Sequence, residues 1–87
     1  MIDSVWIVSV ISLLNGETVV AVYLSEDGAT KRASEECIKQ ISILGLNASN
    51  NVVIRTLHER GRYEEVLKFV QEHASNKIIV RQMTVQA

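Results

Sequence analysis

The chain has 87 residues, of which 47% are hydrophobic, and its mean hydropathy is +0.14. A chain of this length buries only about 60% of the surface that its unfolded form exposes, so we expect one compact domain, residues 1–87, with apolar surface left for a partner. Nine basic and ten acidic residues give a net charge of −1, which excludes a strong overall attraction to nucleic acid or to an anionic membrane.

The cellular setting follows from a few residues. A single Cys37 excludes an internal disulfide, and with only His58 and His73 beside it no structural zinc site is expected. The longest apolar run, Val5–Leu14, is about half as long as a membrane-spanning helix. The amino terminus has no early lysine or arginine, so no secretory signal is expected. The sequence predicts a cytoplasmic protein with no cofactor and no membrane partner.

The first predicted element is a β-hairpin centred on Asn15-Gly16. This dipeptide is typical of a two-residue type I′ turn, which needs positive φ at both positions, and it separates the β-branched runs Val5–Leu14 and Glu17–Leu24. Both faces of such a hairpin are apolar. One face is aliphatic, and the other carries Trp6, Val8, Val10, Val19, Ala21 and Tyr23.

A helix is expected next. Ser25-Glu26-Asp27 supplies a capping oxygen and first-turn acids, and Gly45 is placed to end the helix after about Leu44. Ala33 and Cys37 lie on its predicted buried stripe. Asn47–Asn51 is a predicted turn.

Three further elements complete the predicted fold. Val52–Leu57 is typical of a third strand, a second helix begins at Tyr63 and stops near Asn76, and Lys77–Val85 is a fourth strand. The second helix should bury a stripe at helical spacing, namely Tyr63, Val66, Leu67, Val70 and Ala74. The order ββαβαβ predicts an α/β protein, an α+β two-layer sandwich in which two helices cover one face of a four-stranded mixed sheet of order 2-1-3-4.

Two segments carry a resemblance to known proteins. Residues 19–29, in which a strand passes straight into a helix, resemble the opening of many small uncharacterised phage and bacterial proteins, which implies an accessory protein and transfers no functional residues. Residues 51–56, followed by a helix and the strand 77–81, are similar in layout to the back end of ribonuclease H-like domains. Those nucleases hold metal with carboxylates, one of them at the end of this strand, where this chain has Thr56-Leu57-His58. A related fold would therefore lack nuclease chemistry.

The densest basic cluster follows the predicted third strand and consists of Arg55, His58, Arg60 and Arg62. At a strand-to-helix connection such residues can bind a phosphate or carboxylate, helped by the positive end of the helix dipole. Glu59 weakens the local field. We favour the alternative of a solvated polar turn with Arg62 near Glu65.

The open face of the sheet is the stronger candidate site. We expect Trp6, Val8, Val10 and Tyr23 to lie on it, with Phe69 extending the contacts, because aromatic residues and arginine are enriched at protein interfaces. We therefore predict a non-enzymatic protein-interaction module that binds a second copy of itself or a host protein, for example as a phage-encoded inhibitor or regulator. The alternative is a small-anion or nucleic-acid module using the basic turn 55–62, which the net charge disfavours.

Overall fold

The computed structural model of the protein describes residues 4–85. Within this range an antiparallel sheet of three strands carries three α-helices and one short 3-10 helix. The strands are β1 (Ser4–Ser12), β2 (Gly16–Tyr23) and β3 (Lys77–Thr84), in the order β2-β1-β3. The helices are α1 (Glu26–Lys39), α2 (Ala48–Glu59) and α3 (Tyr63–His73), and the 3-10 helix is Ile41–Ile43. The α/β class is confirmed, whereas the four-stranded mixed sheet and the ββαβαβ order are wrong.

The hairpin forms as predicted, but with a different loop. Ser12 pairs with Gly16, so that three residues rather than two separate the strands. Gly16 has a φ of +70°, and no non-glycine residue in the described range has positive φ. The turn is therefore not type I′ and matches a three-residue loop completed by a left-handed glycine. Ile11 consequently faces Glu17 rather than Val20.

A β-bulge then changes the register of β2. Val8 pairs with Ala21 and Ser9 with Val19, so that Val20 is the extra residue. Between the turn and the bulge, each β2 residue pairs with a β1 residue that is an odd number of positions from its predicted partner. Glu17 therefore lies on the face of the sheet opposite to the predicted one. From Ala21 to Tyr23 the displacement is an even number of positions, so these residues lie on their predicted faces.

Helix α1 begins where the sequence predicted and ends earlier. The Ser25 side chain accepts a hydrogen bond from Gly28 N at 3.2 Å and caps the first turn. Ala29, Ala33 and Cys37 are fully buried, and their small size lets the helix contact all three strands. Gln40 leaves the helical conformation with φ −108° and ψ 29°, and a 3-10 turn replaces the predicted last turn of α1.

Residues 48–59 form helix α2, so the predicted turn at 47–51 and third strand at 52–57 are wrong. Asn47 accepts a hydrogen bond from Asn50 N at 2.8 Å and caps this helix. Ile54 is fully buried while Val52 is 63% exposed and Val53 is 38% exposed, which is the spacing of an amphipathic helix rather than a strand. The layout similar to ribonuclease H-like domains thereby loses the strand that it required.

The final helix and strand agree with the sequence. Val66, Val70 and Ala74 are buried along α3, and β3 pairs with β1 throughout its length. Helices α1 and α3 lie on the sheet, and α2 packs against both of them. The core thus lies between one face of the sheet and the helices.

Candidate interaction surface

The helices cover the face of the sheet that was predicted to be open. Val8 is fully buried and Val10 nearly so, and the half-buried side chains of Trp6 and Tyr23 pack against the same core. Phe69 is half-buried too and packs on this core, and its ring centroid lies 4.3 Å from that of His73, with the two rings tilted by 41°. The prediction that the sheet face carrying Trp6, Val8, Val10 and Tyr23 is open is therefore wrong, and Phe69 packs on the same covered side.

The other face of the sheet has no helix packed on it. Its β1 residues alternate with those in the core, and their cross-strand neighbours lie on the same side. Several apolar side chains here are strongly exposed, with Val22 at 57%, Val19 at 51% and Met83 at 42%. We call this surface the open face, and by register it consists of Val5, Ile7, Ser9, Ile11, Glu17, Val19, Val22, Lys77, Ile79, Arg81 and Met83.

One ion pair crosses the open face. The Nη2 atom of Arg81 lies 3.1 Å from each carboxylate oxygen of Glu17. Arg81 is opposite Ile7 on one side of β1, and Glu17 is opposite Ile11 on the other side. The pair therefore passes over Ser9, which lies midway between those two positions. This cover accounts for the full burial of Ser9 on a face that carries no helix.

These two charges identify the open face better than hydrophobicity does. Both faces of the hairpin are apolar, so hydrophobicity alone did not separate them. The prediction had paired Glu17 with Leu14, on the face that proves to be covered. The three-residue loop places Glu17 opposite Ile11, and its charge marks the solvent side.

The predicted basic cluster does not lie at a strand-to-helix connection. Arg55 and His58 lie within α2, Arg60 caps its carboxyl end, and Arg62 lies in the connection to α3. Cations at this end complement the negative pole of the helix dipole. Arg62 forms an ion pair with Glu65, as the polar-turn alternative anticipated.

His58 is tied to helix α1 by a hydrogen bond. Its Nδ1 atom lies 2.7 Å from Ser34 Oγ, and its ring centroid is 5.4 Å from that of Tyr63. A serine beside a histidine suggests a nucleophile and its base. Ser34, however, is fully buried, so a substrate has no access to its hydroxyl, and the pair acts as a bond between α1 and α2.

A groove of about 570 Å³ separates the first turn of α1 from the α2–α3 connection. Two cations, Lys31 and Arg62, line it together with three carboxylates, those of Asp27, Glu64 and Glu65. The lining is therefore net acidic. An anion would be repelled here, so this groove does not support the alternative of a small-anion-binding module.

Comparison with known proteins leaves the fold and the open face as the basis for a function. No family model, curated protein or solved structure matches the chain. Between residues 4 and 85, no cluster of histidine, cysteine and carboxylate side chains is suited to hold a metal ion. None of the described helices combines the length and the apolar character needed to cross a bilayer.

Proposed function

We propose that the protein is a non-enzymatic interaction module that binds another protein through the open face. The observation that carries this proposal is the exposure of Val19, Val22 and Met83 on a sheet face without a helix layer. Exposed apolar side chains that are grouped on one face mark interaction sites in soluble proteins. The inaccessibility of Ser34 beside His58 also supports a role without catalysis.

Charge introduction at Val22 tests the proposal, and Val52 offers a matched control. Val22 is 57% exposed on the open face and Val52 is 63% exposed on the outer surface of α2. Val22→Glu and Val52→Glu therefore add the same charge at similar exposure. Circular dichroism would first establish that both variants retain the secondary structure of the wild type.

Association would then be measured by light scattering and by capture on immobilised protein. We expect wild-type protein and Val52→Glu to associate alike, with themselves or with a captured protein, and Val22→Glu to lose that association. Equal association of the two variants would reject the open face as the binding surface. Loss in Val52→Glu alone would move the interface to α2.

A further inference from the structure

The open face carries a charge pattern that is complementary to itself. Lys77 belongs to this face by register, opposite Ile11, but its Nζ donates to Gln71 O at 2.7 Å and Ala74 O at 2.6 Å, at the carboxyl end of α3. The charges that remain over the face are Arg81, near the Ile7 end of β1, and Glu17, near the Ile11 end, on opposite sides of the strand. The two charges form a dipole whose centre lies over Ser9, and their formal sum is zero. The side chains around them are aliphatic or Met, with Ser9 covered beneath the pair.

We propose that the occupant of the open face is a second copy of this chain, packed sheet against sheet about a two-fold axis, an inference that rests on the proposed function. The axis lies in the plane between the two sheets, perpendicular to the line from Glu17 to Arg81, and passes over Ser9. This rotation sets the two dipoles antiparallel. Arg81 of each copy then lies over Glu17 of the other, in an isologous contact of two positive and two negative charges.

The size of the face sets the expected strength of this dimer. A strand of 9 residues such as β1, with a rise of about 3.3 Å and a strand spacing of about 4.8 Å, gives a three-stranded footprint of roughly 400 Å². A standard interface buries about 800 Å² on each partner. The dimer should therefore be weak, with a dissociation constant in the micromolar range or above, and it must be sought at high protein concentration.

Two single charge reversals test the geometry. Glu17→Arg places two arginines on the open face, and Arg81→Glu places two glutamates there. Each variant alone should repel its own copy, with self-association weakened at least tenfold relative to wild type. In an equimolar mixture every interfacial contact joins opposite charges, so the mixture should form a heterodimer. Glu64→Arg, a reversal at an exposed position of α3, should dimerise like wild type.

The double variant Glu17→Arg/Arg81→Glu retains an ion pair of reversed polarity. It therefore tests the geometry even if the single variants, which lose the ion pair, misfold. It should dimerise with itself but not with wild type, because mixed dimers would place arginine over arginine. All forms would be compared by light scattering after size exclusion, at concentrations up to about 0.5 mM.

The outcomes separate this inference from the proposed function. A wild-type protein that is monomeric at every concentration rejects a second copy as the occupant of the open face. The open face is still supported as the binding surface if Val22→Glu abolishes binding to a captured protein. A wild-type dimer that survives both single reversals, or a mixture that fails to associate, also overturns the two-fold geometry. If Val22→Glu leaves every association intact, the face itself is rejected.

Discussion

Ser75 packs directly against Gly45, where the segment between α1 and α2 meets the segment between α3 and β3. The Ser75 backbone N donates to Leu44 O at 2.8 Å. A Cβ placed on Gly45 would lie 2.9 Å from Ser75 Oγ and 3.2 Å from Ser75 Cβ, closer than ordinary van der Waals contact. Gly45 also has a φ of +74°, a conformation that favours glycine. Two separate constraints therefore act on this position.

Gly45→Ala should destabilise the protein more than Gly61→Ala does. Gly61 has nearly the same φ, +73°, but nothing lies within 4 Å of an added Cβ. Gly61→Ala should therefore cost only the left-handed strain of about 1–2 kcal/mol, and Gly45→Ala roughly 1 kcal/mol more because of the contact with Ser75. Urea unfolding measures both changes. Equal losses of unfolding free energy would show that Ser75 yields without cost.

Cys37 should be unreactive in the folded protein. Burial, and then the negative charge of Glu36, raise the pKa of its thiol to about 12, and the side chain is fully buried. At pH 8 only about one thiol in 10⁴ is then ionised, and the thiolate is the reactive form. Reaction with a disulfide reagent should be rapid in guanidinium and slow without it. Native labelling at the denatured rate would contradict the buried position on α1.

Glu36 should make the stability of the protein sensitive to acid. Burial raises the pKa of its carboxyl, but hydrogen bonds from Gln40 and Arg32, with the charges of Arg32 and Lys39, outweigh that effect and hold the pKa below its ordinary value. Such a group contributes stability above the unfolded-state pKa and loses it as the pH falls through the folded-state pKa. The unfolding free energy should therefore decline as the pH drops below about 4.5.

Glu36→Gln separates this carboxyl from the rest of the chain. The variant should lose about 1–2 kcal/mol at pH 7, because charged hydrogen bonds from Gln40 at 2.6 Å and Arg32 at 3.1 Å are weakened. It should also show a smaller decline toward low pH. Glu35→Gln, at an exposed position of the same helix, should change stability by less than about 0.5 kcal/mol. Parallel acid profiles for wild type and Glu36→Gln would refute the assignment.

Local signals in the sequence located most of the element boundaries. The capping oxygen of Ser25, the helical spacing of Val66 and Val70, and the glycine of the hairpin each act through neighbouring residues, so they can be recognised without the fold. The same holds for Arg62 and Glu65, whose proximity depends only on one helical turn.

The remaining features depend on tertiary contacts. Residues 52–57 are rich in β-branched side chains and favour a strand by propensity, but burial of Ile54 against α1 and α3 and the cap at Asn47 stabilise a helix instead. The face of Glu17, which marks the solvent side of the sheet, depends on the length of the hairpin loop, and the Asn15-Gly16 pattern favours a loop of the wrong length. The ion pair between Glu17 and Arg81 joins residues that are far apart in the chain, so no local sequence pattern predicts it.

Ser9 and Ser34 offer a final test, because both are fully buried and only one has a partner. Ser34 Oγ lies 2.7 Å from His58 Nδ1, whereas Ser9 Oγ makes no hydrogen bond within the described part of the chain. A buried hydroxyl without a hydrogen-bond partner lowers the free energy of unfolding, and removing the hydroxyl abolishes that penalty. Ser9→Ala should therefore be neutral or stabilise the protein by up to about 1 kcal/mol, while Ser34→Ala should destabilise it by about 1–2 kcal/mol. Thermal and urea unfolding of the two variants decide the matter. A clear loss of stability in Ser9→Ala would mean that its hydroxyl is hydrogen-bonded beneath the Glu17–Arg81 pair, and that the centre of the open face is a polar site rather than a covered apolar one.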